Sequence, residues 1–377
     1  MKFARLTILV LLLAAGCTST PQKPETAVRP LPEGLLPDVG INIFTGPVSS
    51  SAAKYDAEIR KAEGIYISYH LAKSILNHQQ LGPVRIIPDK RDNLDINISG
   101  EVVYSDGEVL ELVVKVEDAS GKRWYKKNYR QVVSQEGYIN NNQETADPFS
   151  KLYESITLDL IRQIRGMSYD ELTNIKNIRR LRFARWLMPG KYSDYYSQGK
   201  NGIIHINRLP PENDPYAARI NRINSRYNLY VDTQMSDYGN FVDRIYRPYF
   251  EWRKNSLNNK ILYRKSRADA SRMYFNTAKD ALFGLNPLNI FRSIFNREEE
   301  TGIAAGLQDL EAANNARYDS KMYEETIKEL SESFNNDLKT ENISIENHTL
   351  QLSGNVLMRY LEFKRILREM YNTESGR

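Results

Sequence analysis

The stretch DINISGEVVYSDGEVLELVVKVEDASGKRWYKKNYRQ, residues 95–131, decides the reading of the first half of the chain. Leu110, Leu112, Val114 and Val116 alternate with Glu111, Val113, Lys115 and Glu117. A period of two sends one set to each face of a strand, so one face is buried and the other is wet. Asp106-Gly107 and Ser120-Gly121 are turn dipeptides, and they divide the stretch into three consecutive strands.

Further out on either side, the pattern changes. VRII (84–87) reads as another strand, and Gly82-Pro83 stops whatever precedes it. Residues 52–77 have helical spacing through Ile59, Ala62, Ile65, Tyr66, Tyr69 and Leu76. VGINIFT (39–45) is β-rich, and residues 147–165 return to helical steps at Phe149, Leu152, Ile156, Leu160 and Ile164. The order β-α-β-β-β-β-α predicts a sheet with helices packed on one side.

On Ser99-Gly100, the hairpin that follows, and Asp118-Ala119-Ser120-Gly121, this segment resembles the N-terminal domain of the translocation protein TolB. It also resembles lipoprotein activators of penicillin-binding proteins. Those domains share a strand ending in Ser-Gly, a hairpin, and a D-x-x-[ST]-G turn. The resemblance covers about a third of the chain and rests on turn chemistry. It implies a domain that docks onto other envelope proteins, with no catalytic residue.

The N-terminus gives an address. Lys2 and Arg5 precede an apolar run, Leu6 to Leu13, and then Ala14-Ala15-Gly16 abut Cys17, the only cysteine in 377 residues. Positive, apolar, small is the order of an export signal, and the apolar run is too short for the roughly 20 residues of a membrane span. The small residues against a thiol resemble the lipobox of bacterial lipoproteins, in which the cysteine becomes the lipidated first residue. The family's usual Leu three places before the cysteine is Ala14 here. A lone thiol is a liability in an oxidising compartment, and lipidation removes it. No Asp follows Cys17, so the resemblance implies an outer-membrane anchor facing the periplasm. Residues 18–37 hold five prolines, which exclude helix and central strand and read as a tether.

Four segments follow: a lipoprotein signal at 1–16, a lipidated Cys17 and tether at 17–37, an α+β domain at 38–168, and a mainly helical domain at 169–377. The fold class is therefore α+β: a small sheet-plus-helices domain, then a larger, mainly α-helical domain with a C-terminal β-hairpin. The body is 41% apolar and 26% charged, a globular composition. Loss of Lys2 and Arg5 lowers the formal charge from +5 to about +3, which with the compartment argues against a nucleic-acid partner.

In the second region, residues 172–187 form a basic amphipathic helix. Lys176, Arg179, Arg180, Arg182 and Arg185 lie beside Ile175, Ile178, Leu181 and Trp186. Such a helix serves either of two ends: contact with anionic lipid or an acidic polymer, or packing by its apolar stripe with a solvated basic face. Helical spacing runs from Pro215 through Trp252 and on to 283. DALFGLNPLNIFRSIF then carries Leu282, Phe283, Leu288, Phe291 and Phe295, a surface for a membrane or partner, or a buried corner. Another helix is expected over 303–338, a hairpin over 343–354, and a last helix over 355–371 with Val356, Tyr360, Phe363, Leu367 and Met370 on one face.

Local catalytic signatures are missing: no H-E-x-x-H, C-x-x-C, Walker loop or G-x-S-x-G occurs. His70 and His78 are eight apart, unlike an i, i+4 metal pair. No cofactor, metal or catalytic residue is assigned. The expected function is that of a lipid-anchored scaffold or regulator of envelope machinery, with an envelope protein as partner and peptidoglycan as a compatible ligand. Two alternatives stay open: a wall-acting hydrolase built on the aromatic and acidic segment 227–252, with Asp232, Asp237, Asp243 and Glu251 as its acids, and a lipid-binding or membrane-remodelling protein using 281–295 and the basic helix.

Overall fold

The computed structural model describes residues 31–46, 54–88, 93–139, 147–282, 320–346 and 348–374. Five strands form one sheet: β1 (Val39–Asn42), β2 (Val84–Ile87), β3 (Ile96–Ser105), β4 (Val109–Asp118) and β5 (Arg123–Val132). Their order is β2-β1-β3-β4-β5. β1 pairs parallel with both β2 and β3, and β3, β4 and β5 run antiparallel. The parallel β1–β2 pair needs a crossover, which helix α1 (Lys54–Asn77) supplies.

Helices α1 and α3 (Ser150–Arg165) pack together against the sheet. Leu110, Leu112, Val114 and Val116 are fully buried beneath them, as the alternation predicts. The opposite set, Glu111, Val113, Lys115 and Glu117, is half-buried. Gly121 sits at φ +86°, the left-handed conformation that a Ser-Gly turn calls for. Gly107 is required for another reason: a Cβ there would lie 1.8 Å from the Arg253 carbonyl oxygen of α6. A short helix, α2 (Gln135–Ile139), follows β5.

The second region is built on helices. α4 (Tyr169–Leu187) starts from a capping box in which Ser168 and Glu171 satisfy each other's backbone N–H groups. A one-turn helix, α5 (Pro189–Tyr192), leads to a small hairpin, β6 (Tyr196–Gln198) and β7 (Ile204–Ile206). α6 (Pro215–Leu282) is one continuous helix of 68 residues, about 100 Å long at 1.5 Å per residue. It passes through Pro248 without a break. A helix over 320–335, here α7, precedes the hairpin β8 (Lys339–Ile345) and β9 (His348–Gly354), and α8 (Val356–Glu374) ends the described chain. This hairpin starts four residues earlier than the alternation suggests.

The fold is thus α+β: a small sheet-plus-helices unit, then a mainly helical region with a C-terminal hairpin. α6 serves two cores. Tyr238, Phe241, Val242, Ile245 and Tyr249 join the core beneath the sheet. Ile220, Ile223, Tyr227 and Tyr230 join a second core with α4, α8 and the β8–β9 hairpin. None of the helices among the described residues is long and apolar enough to cross a membrane.

Candidate functional site

The five cations of the basic helix do not share one face. Lys176 and Arg179 turn inward. Arg179 pairs with Asp38 at 2.7 Å and Asp95 at 3.2 Å, and Lys176 pairs with Asp95 at 3.1 Å while donating to the Leu36 carbonyl at 2.8 Å. Arg85 continues the network to Asp38 at 3.1 Å and, bidentate, to Asp232 of α6 at 2.7 and 3.1 Å. Buried charges persist where they are paired, and these pairs tie α4 and α6 to the sheet. Arg180 is exposed and lines a small cleft with Leu181, Tyr192 and Pro210.

Arg182 and Arg185 face a different place. They line a cleft of about 400 Å³ with Lys364 and Arg368 of α8. Its floor and walls are aromatic: Phe183, Trp186, Tyr196 and Tyr227. Phe183 packs against both Trp186 and Tyr227, with ring centroids 5.5 and 5.7 Å apart. The Tyr227 hydroxyl lies 3.1 Å from that of Tyr360, and Asn93 at the rim donates to Asn224 at 2.7 Å. Arg182 donates to the Ala119 carbonyl at 2.9 Å, and the Arg185 guanidinium lies 4.8 Å from the Tyr196 ring centroid. Among the described residues lining this cleft, none is a carboxylate. Its volume is that of a small-ligand site.

The positions follow from helix geometry. Arg182 and Arg185 are three apart on α4, and Lys364 and Arg368 are four apart on α8, so each pair lies on one side of its helix. The second core brings the two helices together through Leu181, Phe183, Tyr227, Phe363 and Leu367. Arg182 and Arg185 belong to the set singled out in the sequence; Lys364 and Arg368 do not.

A second cleft, of about 740 Å³, opens between α1, α3 and α6, lined by Tyr69, His70, Lys73, Asp147, Tyr153 and Asp243 among others. The His70 ring stacks on Tyr153, its Nε2 has no hydrogen-bond partner among the described residues, and burial holds its pKa below the ordinary value. Behind this cleft lies a buried charge cluster. Glu63 accepts from Ser105, Tyr249 and Arg60, and Arg253 sits 3.6 Å from Glu63 and 3.5 Å from Asp147. The Arg253 guanidinium is caged by rings, 4.3 Å from the Tyr249 centroid and 4.7 Å from that of Phe149.

The four acids considered for hydrolysis are dispersed. Asp232 pairs with Arg85, Asp237 with Arg359 at 2.6 Å and Lys339 at 2.9 Å, and Glu251 with Lys254 at 3.6 Å; Asp243 is exposed at the second cleft. Leu282 is the last residue of α6, while Cys17, Phe283, Leu288, Phe291 and Phe295 lie outside the described residues. Among the described residues, no group of three or more His, Cys, Asp or Glu is placed to hold a metal ion.

No family model matches the chain, and no curated protein matches it. Among solved structures, the chain is similar to a point-mutant PelC dodecamer from Paraburkholderia phytofirmans. Identity is 17%, covering 34% of this chain and 89% of that chain, with a TM-score of 0.21. At that level of likeness, function is read from this chain's own geometry.

Proposed function

We propose that the protein is a lipid-anchored, periplasm-facing envelope protein that acts by binding, as a scaffold or regulator of cell-envelope machinery, and that its partner presents an anionic group to the α4–α8 cleft. One observation carries this reading: Arg182, Arg185, Lys364 and Arg368 line one aromatic cleft between α4 and α8. Clefts lined by one sign of charge concentrate ligands of the other, and low-dielectric aromatic walls strengthen the field. The export signal, Cys17 and the proline-rich tether support the anchored address. The partner is an envelope protein or a wall or membrane component, not a nucleic acid.

The test is in-cell crosslinking followed by mass spectrometry, on wild type, Cys17→Ala and the Arg185→Glu/Arg368→Glu double variant. Reproducible crosslinks to an envelope component, lost in both variants, are expected. Crosslinks that persist unchanged in the charge-reversed variant would remove the cleft from the function.

A further inference from the structure

We infer that the outer edge of β5 is a docking site for an extended acidic segment of a partner protein, which adds to the sheet as a further strand. This surface is separate from the α4–α8 cleft and does not depend on it.

The two edges of the sheet differ. β2, at one end of the strand order, is covered: its four residues are buried, Arg85 pairs with Asp232 of α6, and the Ile86 N–H lies 3.3 Å from the Met235 Sδ of the same helix. β5, at the other end, has no strand beyond it among the described residues. It runs for ten residues without Pro or Gly, and its register with β4 shifts only at its start, opposite Val116 and Glu117. A long, regular edge is a template for another strand.

The bonds flanking β5 fix which of its groups point out. The Val133 N–H donates to the Glu108 carbonyl at 2.8 Å. Antiparallel strands turn alternate residues toward their neighbour. Gln131, Tyr129 and Lys127 therefore direct their backbone groups to β4, and Arg130, Asn128 and Lys126 direct theirs to the edge. Those three also carry their side chains on the outer face of the sheet, opposite Glu111, Val113 and Lys115, and all three are exposed. The outward backbone row and an accessible side-chain row coincide.

Charge names the occupant. β5 holds Arg123, Lys126, Lys127 and Arg130 and no acid. Lys127 is engaged by Asp159, and Arg130 stands 3.7 Å from Glu111, but Lys126 faces Lys115, a like charge. A strand laid alongside sets its side chains about 4.5–5.5 Å from those they face, where opposite charges attract and like charges destabilise. Acids opposite Lys126 and Arg130 fit this edge. A second copy does not: a twofold centred on Asn128 sets each copy's Lys126 opposite the other's Arg130. Main-chain bonds supply the affinity of such an added strand, and its side chains the selectivity.

The test uses the full chain with Cys17→Ser, which blocks lipidation, and follows residue-resolved amide exchange with blocked decapeptides of alternating Glu-Val, Lys-Val or Glu-Pro. With Glu-Val, the Lys126, Asn128 and Arg130 amides are expected to exchange at least about tenfold more slowly; with the other two they are expected to be unchanged. Lys126→Pro removes an outward N–H and no bond to β4, a change that an edge strand tolerates, and should abolish the protection. Lys126→Glu/Arg130→Glu should weaken Glu-Val binding by about tenfold over the two positions, and it carries the test should the proline variant lose its wild-type circular dichroism. Equal protection by Lys-Val would overturn the acidic partner, and equal protection by Glu-Pro would overturn strand addition. No protection by any peptide would overturn the site. Protection that rises with protein concentration in the absence of peptide would give the edge to a second copy instead. Arg185→Glu/Arg368→Glu should leave the protection intact; its loss there would place the peptide in the α4–α8 cleft, overturning the edge site and leaving the cleft reading standing.

Discussion

Replacing Glu63 with Gln tests the buried cluster between the sheet and α6. Glu63 is fully buried, and its carboxylate accepts from the Ser105 and Tyr249 hydroxyls and from Arg60, with Arg253 at 3.6 Å. Gln keeps the volume and removes the charge. Its amide nitrogen turns a donor toward donors, and it leaves Arg253, itself 1% exposed, with Asp147 alone as a counter-charge. Removing one partner of a buried pair costs about 3–5 kcal/mol, a large share of the about 5–15 kcal/mol that holds a typical domain folded.

The assay is urea unfolding of wild type and Glu63→Gln at pH 7. The pH dependence gives a second reading of the same group. Burial raises the Glu63 pKa, but the Arg60 and Arg253 charges and the hydroxyl donors outweigh it and hold the carboxyl below its ordinary 4.5. A depressed carboxyl stabilises the fold above its unfolded pKa, and that stability is lost as pH falls through the folded value. The gap between wild type and Glu63→Gln should therefore be complete above about pH 4.5 and close in more acidic solution. Adding Arg253→Met to Glu63→Gln should recover part of the loss, because no lone charge then stays buried. A cost under about 1 kcal/mol, the level of an exposed pair, would refute the reasoning.

Three further outcomes are expected. Asp95→Ala leaves Lys176 and Arg179 without their fully buried counter-charge and should cost about 3–5 kcal/mol by the same urea assay. Gly107→Ala forces a methyl against the α6 backbone and should cost about 1–3 kcal/mol, with faster hydrogen exchange at 253–257 as the local readout. His70 is buried with its pKa depressed, so the unfolded state binds more protons and wild-type stability should fall as pH drops below 6.5. His70→Gln should remove that slope, measured as the thermal midpoint between pH 7 and pH 5.

The sheet is legible where local rules are strong. The β4 alternation needs only a period of two, and Ser120-Gly121 names a turn whose glycine does take a positive φ. The spacing of α3 likewise places Leu152, Ile156, Leu160 and Ile164 in the core, where they are found. What local pattern cannot encode is pairing at a distance. Nothing in VGIN says that β1 lies between β2 and β3, parallel to both. Lys176 and Arg179 read as part of an outward basic face, for a ligand or for solvent, because surface charge is the commoner case, whereas their partners Asp38 and Asp95 lie 81–141 residues away. The same distance hides half of the cleft. Arg182 and Arg185 stand out in a visibly basic helix; Lys364 and Arg368 belong to a last helix whose apolar face is its stronger signal, although their i, i+4 spacing is there to be read. It is the second core, with α4 and α8 in direct contact, that brings those two helices into one wall.

The measurement that bears most directly on the proposed function is site-specific photo-crosslinking in cells. A photoreactive residue would be placed at Trp186, on the cleft wall, and separately at Leu158, exposed on α3 away from the cleft lining. Capture of one envelope component from position 186 alone, abolished by Arg368→Glu, is the expected result. Equal capture from both positions, or capture from 186 that ignores Arg368→Glu, would contradict a role for the α4–α8 cleft.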